Sequence, residues 1–262
     1  MTLMPQRWTM FFAMAVLVVA TAVVGCAQQE SVEELRAKAE QGDARSQFNL
    51  AAMYANGRGV PQDEEEAVRL IRLAADQELA NAQAALGMMY AAGEGVPQDD
   101  AKALRWYRLA ADQGIAQAQH NLGIWYRDGR GIAQDNVEAV RLFRLAAGQG
   151  HAGAQSSLGY MYIEGRGVPQ DDAEAVRLYR LAADQGDGAA LGNLGRTYTL
   201  GRGVPQDDVQ AYKWYSLAAA RLTGAYRDRA ASSRDRLGNR LTPDQRAEAQ
   251  RLAREWDEAH PR

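Results

Sequence analysis

Apolar and small residues recur along this chain with a period of 36 residues, and their spacing changes once within each period. In the first half of a period they lie at positions such as those of Ala116, Leu122 and Tyr126, which share one face of an α-helix. The second half carries an i, i+3, i+4, i+7, i+8 stripe, which extends from Ala103 to Ala111 in one copy. Each period therefore predicts two helices.

Glycine, proline and aspartate separate the two helices of a period. A glycine follows each first helix, where a backbone of positive φ closes a helix without strain only in glycine. A Val-Pro pair follows in most copies, and Asp99 or Asp100 then lies where it can cap the next helix. Because such carboxylates recur at nearly every helix start, capping explains them better than acid-base chemistry. The closing glycines are Gly57, Gly93, Gly129, Gly165 and Gly201.

Glycines also lie inside the first helices, where each costs about 1 kcal/mol relative to alanine. We therefore expect close helix contacts at Gly87, Gly123, Gly159 and Gly195. Aromatic residues recur on the apolar stripe of the second helices, and we interpret them as packing residues rather than as a ligand site. They are Trp106, Tyr107, Phe143, Tyr179, Trp214 and Tyr215.

The motif Leu-Gly-x-x-Tyr, followed by Gly-x-Gly-Val-x-x-Asp, Ala-x-x-Trp-Tyr and Ala-Ala-x-x-Gly, resembles the Sel-1-like repeat family, a relative of the tetratricopeptide repeat. The resemblance extends over residues 31 to about 223. It implies an all-α fold, an α/α right-handed superhelix or solenoid of helical hairpins whose first helices line a concave face. It also implies an adaptor that gathers other proteins.

The repeats and their flanks predict the following domains. Residues 1–26 form a lipoprotein signal peptide, 27–30 a tether, 31–43 an N-terminal capping half-repeat, 44–223 the five repeats, and 224–262 C-terminal capping helices. The repeats are 44–79, 80–115, 116–151, 152–187 and 188–223. In the C-terminal part we expect one helix over 225–237 and another that Thr242 caps. The Arg-rich first of these helices has an alternative role as a docking surface.

The N-terminal segment predicts export, because Arg7 precedes an uncharged stretch from residue 11 to residue 24. The segment ends in Val-Val-Gly-Cys, which resembles the lipobox of bacterial lipoproteins and implies cleavage before Cys26 and lipidation of its thiol. Ala27 rather than Asp follows, which implies a lipid anchor in the outer membrane with the body facing the periplasm. Two alternatives stay open: an ordinary signal cut after Ala27, and an uncleaved membrane anchor.

The charge balance of the chain argues against nucleic-acid binding, and its cysteine content argues against disulfide bonds. The chain has 30 basic and 33 acidic residues, interleaved, with a formal net charge of -3, whereas nucleic-acid surfaces usually carry a concentrated basic excess. Cys26 is the only cysteine, so an intramolecular disulfide cannot form and packing alone must hold the exported body together. We expect no nucleic-acid partner.

The most variable positions of the first helices lie off the Leu-Tyr stripe and are candidates for partner choice. By resemblance to related repeats, they face a groove where Asn side chains bind the backbone of an extended peptide. A solvated surface that has drifted without selection is the alternative. The predicted groove residues are Asn49, Asn121, Arg127, Tyr160, Asn193 and Arg196.

Motifs for catalysis or metal binding are hard to find in the sequence. The three histidines stand apart, and neither a Gly-x-Ser-x-Gly elbow nor a phosphate-binding loop occurs. We expect no catalytic residue, no metal and no cofactor. The predicted function is a non-enzymatic scaffold or adaptor that binds a protein or peptide at the bacterial cell envelope.

An alternative function is a cell-wall-related protein, either a β-lactam hydrolase or a regulator of peptidoglycan enzymes. Some exported family members resemble β-lactam-hydrolysing or penicillin-binding proteins, but those carry a cysteine bridge in each repeat. This chain lacks every such cysteine. The envelope location permits the alternative, yet no residue of the sequence demands it.

Overall fold

The structure, a computed structural model, describes residues 31–261 of the chain. Within those residues it contains thirteen α-helices and no β-strand, which confirms the predicted all-α fold of helical hairpins. In chain order the helices are α1 (Val32–Glu40), α2 (Ala44–Asn56), α3 (Glu64–Asp76), α4 (Ala80–Ala92), α5 (Asp100–Asp112), α6 (Ala116–Asp128), α7 (Asn136–Gly148), α8 (Ala152–Glu164), α9 (Asp172–Asp184), α10 (Gly188–Leu200), α11 (Asp208–Arg221), α12 (Gly224–Gly238) and α13 (Pro243–Ala259).

The described residues form two compact units. Unit 1 contains them up to Trp125 together with Arg130–Ala133, and unit 2 contains Tyr126–Gly129 and the residues from Gln134 onward. In unit 1, α2 packs against α3, α3 against α4, and α4 against α5. In unit 2, α7 to α11 pack in the same sequential order. Each core therefore lies between helices that are neighbours in sequence, as in repeat proteins.

The predicted turn chemistry is present at the helix ends. The Asp171 carboxylate accepts a hydrogen bond from the backbone N–H of Glu174 at 2.9 Å, and a cap of this kind contributes about 1 kcal/mol. Gly165 closes the preceding helix with a φ of 62°. The same aspartate cap recurs at Asp63, Asp99, Asp135 and Asp207. The same positive φ recurs at Gly57, Gly93, Gly129 and Gly201.

Three of the four glycines predicted to mark close helix contacts, Gly87, Gly159 and Gly195, do so, and the contacting group is an aromatic ring. A Cβ atom on Gly87 would lie 2.7 Å from Cδ1 of Tyr107, and one on Gly195 would lie 2.8 Å from Cγ of Tyr215. Tyr107 itself is buried. Each ring therefore occupies the space that a side chain on the first helix would need.

Buried glutamines connect consecutive hairpins, a feature that the sequence analysis did not single out. Gln47 donates from Nε2 to the carbonyl of Ala39 at 3.1 Å, and its Oε1 accepts from Nε2 of Gln77 at 2.8 Å. Gln83 makes the corresponding bonds one repeat later, with Ala75 and with Gln113. Because these amides are hydrogen-bonded on both sides, their burial is not penalised.

The N-terminal helix α1 begins with a reciprocal cap between Ser31 and Glu34. It buries Leu35 and Ala39 in the core that α2 and α3 share. This is the packing expected of a half-repeat that covers the first apolar face.

At the C-terminal end, α12 and α13 both pack against α11. Trp256 of α13 meets Trp214 edge to face, with ring centroids 5.7 Å apart. Arg221 binds the carboxylate of Asp257 at 2.6 Å. Thr242 caps α13 with Pro243 in the first turn, as the sequence predicts.

Residues 31–261 contain no helix that is both long enough and apolar enough to cross a bilayer. The predicted signal peptide, Cys26 and the tether fall on residues 1–30 and so lie outside the described residues.

Candidate interaction surface

The six predicted groove residues all lie on first helices of the repeats. Asn49 and Arg196 are exposed, and the other four are half-buried. Asn49 and Asn121 belong to unit 1, whereas the remaining four belong to unit 2.

In unit 1, Asn121 lines a cleft of about 370 Å³ that α4 and α6 border. Its Oδ1 accepts from Nε2 of Gln117 at 2.9 Å. Burial raises the pKa of Tyr107, and a hydrogen bond between Asn121 and this phenol opposes the effect. Asn121 therefore supports the core as well as the cleft. Asn49 lines a different recess beside Lys38, so the two asparagines are not brought together.

Arg130 also lines the unit 1 cleft. Its guanidinium donates to both carboxylate oxygens of Asp100, at 2.7 and 3.2 Å, and to the carbonyl of Ala91 at 2.9 Å. It lies 4.5 Å from the ring centroid of Trp125. The hydrogen bonds from Arg130 lower the pKa of Asp100. The turn of one repeat is thereby fixed to the second helix of the preceding repeat.

Arg202 makes the equivalent contacts in unit 2. It donates to both oxygens of Asp172, at 2.8 and 3.0 Å, and to the carbonyl of Ile163. These bonds lower the pKa of Asp172. Asn193 and Arg196 line a small recess beside Arg202. The structure thus brings two of the predicted groove residues together on α10.

Arg196 retains donors that a ligand can use. Its guanidinium lies 3.6 Å from Oε1 of Glu164, and Arg202 approaches the same oxygen at 3.7 Å. Both distances exceed that of a charge-assisted hydrogen bond. The Arg196 side chain is 52% exposed, so its guanidinium remains accessible from solvent.

Arg127 and Tyr160 form the other part of the unit 2 surface. Asp128 holds Arg127 through two hydrogen bonds, at 2.7 and 2.8 Å. These bonds raise the pKa of Arg127, and the nearby Tyr160 phenol adds a smaller effect in the same direction. Tyr160 lies under Arg166, whose guanidinium carbon is 5.5 Å from the ring centroid.

The carboxylates at the helix starts are engaged in capping. The pKa of Asp99 is lowered, first by the backbone N–H of Lys102 and then by its side chain. A carboxylate held in its charged form by a helix start suits capping better than proton transfer. Across residues 31–261, no group of three or more His, Cys, Asp or Glu is arranged to hold a metal ion.

Arg130 and Arg202 are site residues that the sequence analysis missed. Their signal was present, because an arginine 30 residues after a helix-starting aspartate recurs in the repeats. The spacing alone did not show that these two positions meet across consecutive repeats.

Comparison with known proteins identifies the repeat. The family description Sel1 repeat matches residues 44–79, 80–115, 116–151, 152–187 and 188–221. A search of curated proteins found no match.

Solved structures agree with the repeat assignment. A Sel1 repeat protein from Oxalobacter formigenes is 32% identical, with a TM-score of 0.67, and the match covers 82% of this chain and 89% of that one. The protective antigen c5321 of uropathogenic Escherichia coli, described as displaying an SLR fold, is 28% identical with a TM-score of 0.63. That match covers 97% of this chain and 62% of the antigen.

A third structure, a Sel1 repeat protein from Klebsiella pneumoniae, is 22% identical with a TM-score of 0.50 and supports the fold alone. It is matched over 80% of this chain and 100% of its own length. Proteins built from these repeats generally act as scaffolds for protein interactions. With five matched repeats spanning most of its length, this chain belongs to the Sel1 repeat family.

Proposed function

We propose that this chain is a non-enzymatic scaffold of the bacterial cell envelope that binds a protein or peptide partner along the first helices of its repeats. One observation carries the proposal. In unit 2, the side chains of Tyr160, Asn193 and Arg196 are all at least partly accessible on first helices, although the Tyr160 ring also packs against the core. Phenol, amide and guanidinium groups offer the mixed donors and acceptors that an extended backbone requires.

The residues near this surface support binding rather than turnover. The carboxylates of Asp172 and Asp128 are held by arginines, and Asp171 caps a helix. A general acid or base would need to exchange its proton, and the arginine contacts of Asp172 and Asp128 oppose this by lowering the pKa of both carboxylates. The repeat fold is typical of scaffolds, and this also favours a binding role.

The envelope location rests on the sequence of the N-terminal segment. The uncharged stretch that ends at Cys26 has the order of an export signal followed by a lipidation motif. A lipid on Cys26 would hold the repeats at the membrane surface without a spanning helix. The partner is then a protein or peptide within the envelope.

Recovery of envelope proteins with purified chain tests the proposal. We expect wild type to enrich a discrete partner and a variant with Tyr160, Asn193 and Arg196 changed to alanine to lose it. Asn121 is left unchanged because its bond to Tyr107 also supports the core. A matched control changes Gln250, Arg254 and Glu258, which are exposed on α13. Equal recovery by wild type and the first variant, with both folded by circular dichroism, would contradict the proposal.

A further inference from the structure

The residue between the two turn glycines does not make the same contacts in every repeat. Arg130 and Arg202 each bind an aspartate that starts the second helix of the preceding repeat. Arg166 is the corresponding residue between them, 36 residues from each. It makes neither of the contacts that fix Arg130 and Arg202.

Neither of the two groups that accept hydrogen bonds from Arg130 and Arg202 has a free equivalent opposite Arg166. Asn136 stands where Asp100 and Asp172 stand in the other pairs. The carbonyl of Arg127, equivalent to those of Ala91 and Ile163, already accepts from Nε2 of Gln134 at 2.7 Å. Arg166 therefore finds a neutral side chain and an occupied carbonyl.

The backbone geometry of this turn is nevertheless preserved. A Cβ on Gly167 would lie only 2.2 Å from the carbonyl oxygen of Asn136, and Gly203 has the same relation to Asp172. The Oδ1 atom of Asn136 is buried and has no hydrogen-bond partner within residues 31–261. The backbones therefore approach equally closely in the two turns, and the turns differ in the side chain, which is Asn136 in one and Asp172 in the other.

Arg166 turns instead toward the surface that the scaffold offers to partners. It is exposed, its guanidinium lies over the Tyr160 ring, and no carboxylate of the described chain lies within salt-bridge distance of it. The Asp128 carboxylate binds Arg127 directly, and a weaker electrostatic interaction with Arg166 also helps to lower the pKa of Asp128. Arg166 thus makes no direct ion pair with a carboxylate of residues 31–261, and its guanidinium lies over the ring of a partly exposed phenol.

We propose that Arg166 and Tyr160 form a binding site for a carboxylate of an acidic, extended peptide, to which both side chains donate hydrogen bonds. The guanidinium offers a charged fork that matches a carboxylate, and the phenol offers a further donor. The inference deepens the proposed scaffold function and depends on it. It adds that the partner carries an acidic residue where it contacts the fourth repeat, residues 152–187.

Two variants separate this role from a structural one. Arg166→Gln removes the charge. Because Arg166 makes neither the aspartate nor the carbonyl contact of Arg130 and Arg202, the free energy of unfolding should not change. Asn136→Asp restores the aspartate that binds Arg130 and Arg202 in the other pairs. It should draw Arg166 away from Tyr160 and raise the melting temperature. Both variants should lose the preference for acidic peptide, although they change stability differently.

The probe is a fluorescein-labelled decapeptide of alternating Glu and Ala, compared with its Gln-Ala counterpart by fluorescence anisotropy. Wild type should bind the Glu peptide about fivefold more tightly at low salt, an effect of the size expected for an exposed ion pair. Arg166→Gln and Asn136→Asp should bring this ratio close to one. Arg254→Gln, which removes an exposed charge from α13, should leave it unchanged.

The outcomes separate the inference from the scaffold function. Equal binding of the two peptides by wild type would overturn the acidic preference and leave the scaffold function intact. Failure of wild type to bind either peptide would overturn the inference, while partner recovery from the envelope would still decide the scaffold function. A Glu preference that persists in Arg166→Gln and Asn136→Asp would place the acidic site elsewhere.

Discussion

The ring of Tyr179 on α9 lies directly against the backbone of Gly159 on α8. A Cβ atom on Gly159 would lie 2.8 Å from Cε1 of the ring and 3.1 Å from the carbonyl oxygen of Ala175. Tyr179 is 1% exposed, so the ring lies within the core. Closely packed interiors resist such added volume. The pairing of α8 with α9 therefore depends on a residue without a side chain at this position.

We predict that Gly159→Ala lowers the free energy of unfolding by about 1–3 kcal/mol, because overpacking outweighs the gain in helix propensity. Gly148 in α7 provides the matched control, since a Cβ there would have no neighbour within 4 Å. Gly148→Ala should instead stabilise the protein by about 0.5–1 kcal/mol. Urea unfolding of the two variants checks both signs. Stabilisation by both substitutions would show that the Tyr179 ring moves to accommodate the added methyl group.

The bond between Asp172 and Arg202 predicts a pH-dependent contribution to stability. The pKa of Asp172 is lowered, so its contribution is present above the unfolded pKa of about 4 and is lost as pH falls through the folded value. Asp172→Asn should therefore destabilise the protein by about 0.5–1 kcal/mol at neutral pH. The difference from wild type should vanish near about pH 2. A difference that is the same at both pH values would assign the effect to packing.

The C-terminal helix should stabilise the last repeat. The Trp256 ring contacts Trp214, and its centroid lies 4.9 Å from the guanidinium carbon of Arg221. Removal of the Trp256 side chain therefore leaves α11 partly uncovered. We predict that Trp256→Ala costs about 1–3 kcal/mol and lowers the melting temperature by about 2–4 °C per kcal/mol. Arg254→Gln on the exposed side of α13 should leave melting unchanged. Unaltered melting of Trp256→Ala would mean that α13 does not support the array.

The lipid anchor predicts a defined change in the mature protein. Wild type expressed in a diderm bacterium should incorporate labelled palmitate and partition into detergent, whereas Cys26→Ser should do neither, because it lacks the thiol that carries the lipid. Mass spectrometry of the mature N-terminus distinguishes the alternatives. A wild-type chain that begins at Gln28 without an acyl group would show an ordinary signal cut after Ala27.

Periodic features of the fold could be predicted from the sequence because each depends on neighbours along the chain. The glycine at the end of a first helix and the aspartate before a second helix act on their own helix ends, so the patterns around Gly165 and Asp171 were sufficient. The contact at Gly87 was inferred from the cost of a helical glycine, although its partner Tyr107 became evident only in the structure.

Contacts between repeats were harder to predict. The pairing of Arg130 with Asp100 and the burial of Gln83 join positions about 30 residues apart, and a period alone does not say which positions face each other. Once those pairs are known, Asn136 becomes informative, because it interrupts the pattern opposite Arg166. The six groove residues remain predictions, since accessibility does not identify a partner.

In-cell photo-crosslinking tests the scaffold account most directly. A photoreactive amino acid placed at position 193 on α10 lies on the proposed binding surface, whereas one at the exposed position 181 on α9 serves as the control. If the proposed surface binds a partner, position 193 should give a discrete protein adduct and position 181 should give none. No adduct from position 193, or the same adducts from both positions, would contradict it.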